Sequence, residues 1–139
     1  MIVLDAGAWT LALLDANGVG VAAAEAMAAD ARWVAPAHAP LEVFRTIRRY
    51  RLRGLIDASF ETEACQIVVG AEVEYLGTEK WLLEDVLRLR HNLSIYDAPY
   101  VAIALRFDVA LVTADRKLAR ATRAAGAKVI DVAQDGTGA

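Results

Sequence analysis

Four acids in this chain stand where they could converge, and two of them, Asp5 and Asp115, follow strands, where an acid rarely serves packing. Asp5 closes the apolar run Ile2-Val3-Leu4, and Asp115 comes just after the run from Val109 to Val112, in Thr113-Ala114-Asp115. Asp97 opens the stretch that feeds this second run, in Ser94-Ile95-Tyr96-Asp97-Ala98-Pro99-Tyr100. Glu42 lies one turn into a helical pattern that itself follows a short apolar run. Carboxylates brought close repel one another unless a cation neutralises them. Hard oxygen donors of this kind, with no Cys cluster or His pair among them, select Mg²⁺ or Mn²⁺. Each acid also has a purely structural reading. Asp97 suits an N-cap or first-turn position, Asp115 a cap for the helix after it, and Glu42 a solvated helix face. Asp5 is hardest to explain that way, because a carboxylate ending a buried strand needs a partner.

The elements that must position these acids follow from the hydrophobic pattern. Strands are expected at 2–4, 33–35, 109–112 and 128–130, with a minor edge strand at 73–76. Helices are expected at 8–14, 19–31, 41–53, 58–69, 79–90, 96–107 and 116–125. Asn17-Gly18 marks a turn and Gly54 ends the third helix. Glu84 and Arg88, four apart, are expected to support the fifth helix as a pair. Short apolar strands alternating with helices imply parallel strands and right-handed crossovers. The expected class is therefore α/β, a central parallel sheet of four to five strands flanked by helices. Ligands in such folds bind beyond the carboxyl ends of the strands, which is the edge the four acids reach. One domain over residues 1–133 is expected, with a Gly-rich flexible tail at 134–139.

Composition narrows the remaining classes. A chain of 139 residues, 57% hydrophobic and 24% charged, suits one soluble domain with a single core. No run reaches the ~18 apolar residues of a membrane span, so no membrane partner is expected. The N-terminus lacks a basic segment, so no signal peptide is expected. The one cysteine, Cys65, allows no internal disulfide, and a cytoplasmic protein is expected. Cys65 reads as helix packing, and Trp9 and Trp81 as core or interface residues. Net charge is −3, yet the cations are twelve Arg to three Lys. They cluster between Arg45 and Arg53 and again from Arg116 to Arg123, and the guanidinium fork suits phosphate. His38 and His91 have no partner at metal-ligand spacing and read as peripheral.

Together the blocks carry a resemblance. The opening Ile2-Val3-Leu4-Asp5-Ala6-Gly7, the helix acid Glu42, the segment from Tyr96 to Ala104, and Leu111-Val112-Thr113-Ala114-Asp115-Arg116-Lys117-Leu118 resemble the PIN-domain motifs of the VapC toxins. The similarity runs from Met1 to about Val132. It implies a PIN-like three-layer sandwich and a Mg²⁺- or Mn²⁺-dependent endoribonuclease, the toxin of a type II toxin–antitoxin pair. By that resemblance Asp5, Glu42, Asp97 and Asp115 bind the metal, and Thr113 supports them through its hydroxyl. Bound ions would activate water and offset charge on the phosphate, giving 5′-phosphate and 3′-hydroxyl ends. Implied partners are RNA, a cognate VapB-like antitoxin and a second copy of the chain in a homodimer or larger toxin–antitoxin assembly. Arg116, Arg120 and Arg123 share one helix face beside Asp115 and are candidates to track the RNA backbone, or else form a solvated face.

Two positions depart from many relatives. Gly7 replaces a Ser or similar polar residue, and Arg45 replaces a small polar residue one turn after Glu42. Arg45 either contacts the scissile phosphate or pairs with Glu42 and closes the site. A phosphatase of the haloacid-dehalogenase type would want a second Asp where Gly7 stands. A receiver domain would want paired acids after the first strand and a Lys after the last. A non-catalytic PIN-like module that binds RNA or protein is the alternative from another functional class.

Overall fold

A computed structural model describes residues 1–133, so the expectation for the tail at 134–139 lies outside the described residues. Five strands, β1 (Ile2–Leu4), β2 (Trp33–Pro36), β3 (Val73–Leu76), β4 (Ala110–Thr113) and β5 (Val129–Asp131), form one sheet in the order β3-β2-β1-β4-β5. All four pairings are parallel. The connecting helices are α1 (Ala6–Leu14), α2 (Gly18–Ala28), α3 (Ala39–Leu52), α4 (Ala58–Gly70), α5 (Lys80–Leu89), α6 (Ala98–Phe107) and α7 (Arg116–Ala124). The expected α/β sandwich is thus found, with the minor strand at 73–76 as an edge of the sheet.

Strand order locates the site. The chain winds outward from β1 through β2 to β3, then returns across the sheet to β4 and β5. Right-handed crossovers running in opposite directions put α1–α4 on one face and α5–α7 on the other. The loops after β1 and β4 therefore part at their carboxyl ends and open a crevice, the usual ligand site of such a sheet. Asp5 and Asp115 lie on either side of it.

The core explains the rigidity of that edge. Val3, Leu4, Val34, Leu111 and Val112 are completely or almost completely buried. α6 is apolar nearly all round, and Val101, Ala102 and Ile103 are fully buried as it crosses β1, β2 and β4. Leu4 stands in register with Val112, immediately before Asp5. Leu4→Ala should cost about 2–5 kcal/mol, the range for a large-to-small change in a packed core. A urea melt should show a lower midpoint with an unchanged slope.

Some boundaries differ from the sequence expectation. α1 begins at Ala6, so no loop separates Asp5 from its helix. α3 begins at Ala39, because Pro40 suits a first turn whose amides need no partner. β2 continues through Pro36, which pairs with Leu76 at the strand's end. α6 begins at Ala98, after a turn in which the Asp97 amide donates to Ser94 Oγ at 3.0 Å. Arg88 pairs with Asp85 rather than Glu84, whose partner is Lys80 at 3.9 Å. Gly54 sits at φ +74°, the left-handed geometry of a helix stop. Trp9 is buried, whereas Trp81 is half-buried, edge-on to Phe107 and covered by Arg106. Cys65 is half-buried against the core. No single helix among the described residues is long and apolar enough to cross a membrane.

Candidate active site

Asp5 and Thr113 meet where the two central strands end. The Asp5 amide donates to Val112 O at 3.0 Å, extending the β1–β4 ladder by one residue. Thr113 Oγ1 donates to Asp5 Oδ2 at 3.0 Å and accepts from the Asp115 amide at 3.1 Å. The hydroxyl therefore points in a fixed direction, and its residue is fully buried. Burial pushes the Asp5 carboxyl up to about 7. The Thr113 bond opposes that rise, and the charges of Asp97, Glu42 and Asp115 add to it. The other three acids are thus near enough for their charges to act on Asp5. Gly7 matters here, because a Cβ at that position would stand 3.2 Å from Asp5 Oδ2. A side chain would crowd the carboxylate that now reaches Thr113.

Glu42, one turn into α3, is held by two donors. Tyr100 Oη donates to Glu42 Oε1 at 2.7 Å, and His38 Nε2 approaches the same oxygen at 3.3 Å. His38 Nε2 also lies 3.1 Å from the carbonyl of Tyr96, so this nitrogen faces two acceptors and carries the proton. The His38 ring meets Tyr96 and Tyr100 edge-on, with centroids 5.5 Å and 5.6 Å away. The bond to Glu42 raises the His38 pKa against the opposing effect of burial. For Glu42, burial favours the neutral acid, but His38, Tyr100 and the nearby charge of Arg45 together hold it below the usual carboxylate range. Burial and the acceptor at Glu42 keep Tyr100 protonated. The reading of His38 as peripheral is corrected by these contacts; His91 is exposed on the loop after α5. Arg45 is exposed and in no ion pair among the described residues, so pairing does not close the site.

Asp97 and Asp115 border the crevice from the other side. Asp97 precedes α6 without capping it through its side chain. Burial first, and then the charges of Asp115 and Glu42, raise its pKa despite Ser94. Asp115 does cap its helix, since Oδ1 accepts from the amides of Lys117 and Leu118 at 2.9 Å and 3.1 Å. The structural reading of Asp115 is thus true of one oxygen. Both acids line a 490 Å³ cleft shared with Arg90, His91, Asn92 and Lys117. Arg116, Arg120 and Arg123 are exposed on α7, but none of them lines this cleft. Arg116 instead donates to Ala133 O at 3.3 Å.

The chain matches the PIN-domain family over residues 2–124. It belongs to the PIN-domain family. Ribonuclease VapC1 of Mycobacterium tuberculosis is 52% identical over 40 residues, 29% of this chain and 30% of that protein. The match thus spans under a third of the relative's length. Three solved structures share the fold. FitAcB of Neisseria gonorrhoeae aligns with a TM-score of 0.71 at 11% identity, over 97% of this chain and 100% of that one. PAE2754 of Pyrobaculum aerophilum gives 0.66 at 22% identity, over 95% and 90%. VapC20 of M. tuberculosis, described as a sarcin–ricin loop cleaving toxin, gives 0.65 at 17% identity, over 91% and 96%.

In this PIN domain the donor set fits a hard divalent cation, being carboxylate and hydroxyl oxygen throughout. Among the described residues, no three acid, His or Cys side chains are already drawn around one point as ligands. Each acid instead meets donors of the chain itself. Asp5 is turned to Thr113, Glu42 to Tyr100 and His38, and Asp115 to its helix cap. His38 and Tyr100 were not among the candidates from sequence. The i,i+4 spacing of His38 and Glu42 was the available signal, whereas Tyr100 is masked by the apolar run of α6.

Proposed function

We propose that this chain is a divalent-metal-dependent endoribonuclease that acts as the toxin of a type II toxin–antitoxin pair. The observation that carries the reading is the convergence of Asp5, Glu42, Asp97 and Asp115 at the crevice beside β1 and β4, with Asp5 pushed up to about 7 by burial and by the other three. PIN-family membership and the partial identity to a ribonuclease support it.

Asp5 and Asp97 would hold Mg²⁺ or Mn²⁺, with Glu42 and Asp115 bounding the same region. When bound, a divalent cation supplies an acidified water and positive charge against the phosphate. The chain's own residues prepare the rest. Thr113 fixes the Asp5 carboxylate from beneath. His38 and Tyr100 both donate to Glu42 Oε1, keeping Glu42 ionised and fixed in one rotamer. The Asp115 cap joins that acid to the rigid start of α7. Arg45 stands on the groove beside Glu42, free to meet a phosphate oxygen.

Purified protein incubated with a mixed single-stranded RNA pool tests this. Cleavage is expected in Mg²⁺ and not in EDTA, with 5′-phosphate and 3′-hydroxyl ends. Intact RNA under both conditions would instead favour a non-catalytic binding module.

An inhibitory partner is part of the proposal. A negative pocket of four carboxylates would accept an antitoxin Arg bidentately, and that Arg would compete with the metal. On α3, Leu41 is exposed and would be open to the apolar remainder of the antitoxin, whereas Val43 and Ile47 are in the core. Co-expression with a small antitoxin frame should relieve growth arrest and give a pulled-down complex. Harmless expression of the chain alone, with no complex, would remove this part of the proposal.

A further inference from the structure

The cations nearest the acids are not those whose periodicity stands out. Two grooves meet at Ser94 and Asp97, which line both. One, of 440 Å³, runs past His38, Glu42, Tyr96 and Arg45. The other, of 490 Å³, runs past Asp115 to Lys117, Arg90 and His91. Glu42, Asp97 and Asp115 thus line two adjoining grooves, with Arg45 in one and Arg90 and Lys117 in the other. Arg45, Arg90 and Lys117 are all exposed, and among the described residues none is in an ion pair. Arg32, Arg48 and Arg88, by contrast, are each spent on a carboxylate elsewhere.

The geometry of α7 explains why Lys117 enters the groove and the arginine row does not. Leu118, Ala119 and Thr122 are buried and fix which side of the helix faces the sheet. Residues 116 and 123 then fall on one flank of the buried stripe and 117 and 121 on the other, the flank that lines the cleft with Asp115, while 120 lies opposite the stripe. An anionic strand crossing the acids must pass cations on both flanks, since the acids alone repel it when the metal is absent.

We propose that Arg90 and Lys117 form a phosphate subsite for single-stranded RNA, holding the backbone on the opposite side of the acids from Arg45. This rests on the nuclease reading, and it assigns the strand's path to residues that the arginine row on α7 does not supply. Phosphate contacts position a strand without reading its sequence, so these residues should act on affinity and leave base preference unchanged.

The test is steady-state cleavage of a labelled mixed-sequence oligoribonucleotide in Mg²⁺ at several salt concentrations. Arg90→Gln with Lys117→Gln should raise KM about ten-fold with little change in kcat. The double variant should also make the dependence of log kcat/KM on log salt shallower, by about 0.7 per lost contact. Arg120→Gln with Arg123→Gln, of equal charge change on the same helix, should move neither quantity. Mn²⁺-induced stabilisation should match wild type in both, which excludes damage to the acids. A wild-type KM and salt slope in the Arg90/Lys117 variant would overturn the inference, as would equal effects in the Arg120/Arg123 variant. Should the wild type not cleave, the nuclease reading fails on its own. Fluorescence anisotropy with the same RNA in EDTA then decides the subsite by the same comparison of slopes.

Discussion

Asp97→Asn and Asp5→Asn should each lower RNA cleavage by about 10²–10³-fold, the scale of losing one preorganised electrostatic group. Each change removes one carboxylate charge at nearly constant volume, so the fold should persist. Asp97 offers the cleaner comparison, since its side chain does not cap α6 and no secondary structure depends on its charge. At Asp5 the amide oxygen of Asn can still accept from Thr113, so the bond at the base of the site survives. Cleavage at the wild-type rate by either variant, with contaminating nuclease excluded, would sink the assignment. The asymmetry between activity and stability is the informative part. Asp5→Asn should melt higher than wild type in EDTA near pH 8, because it removes a buried charge that nothing neutralises.

Without metal, the wild-type protein should lose stability as pH rises from about 4 to 7. Asp5 has its native pKa raised from 3.8 to about 7, chiefly by burial. Below the lower value both the folded and unfolded chains carry the proton. Between the two values only the folded chain keeps it, so the unfolded state binds fewer protons and stability falls with pH. The raised pKa of Asp97 acts in the same direction, whereas the lowered pKa of Glu42 opposes it at the acid end. At about 1.4 kcal/mol per pKa unit, Asp5 contributes on the order of 4 kcal/mol across this window, or roughly 10 °C in melting temperature. Excess Mn²⁺ should bind the ionised form and stabilise the native state by mass action, so its benefit should grow with pH. Thermal melts at pH 5, 6.5 and 8, in EDTA and in Mn²⁺, check both halves. A metal-free melting temperature that rises over this range would contradict the burial of an uncompensated carboxyl at Asp5.

Much of this arrangement was legible in the chain because its strands are short and apolar. Ile2-Val3-Leu4 and the run before Thr113 admit little but buried parallel strands, and their ends fix Asp5 and Asp115 at one edge. The side-chain partners were less legible. Tyr100 looks like one more core residue of α6 until Glu42, fifty-eight positions earlier, is folded against it. His38 is paired through a spacing visible in the sequence, but its second acceptor is a backbone carbonyl at Tyr96 that no pattern announces. The arginine row on α7 shows a real periodicity, yet periodicity names a face without saying where that face points. The cleft beside Asp115 decides it, since Lys117 lines it and none of the three arginines does.

Mn²⁺ binding to the purified protein at pH 7.5, followed by titration calorimetry in wild type, Asp5→Asn, Asp97→Asn and the surface control Glu84→Gln, tests the carboxylate site directly. Wild type and the Glu84 control, whose exposed acid pairs with Lys80 on α5, should bind alike, and the Asp5 and Asp97 variants should show strongly weakened or no binding. Wild type that takes up no Mn²⁺, or Asp5 and Asp97 variants that bind it as tightly as wild type, would contradict a metal site built from these acids.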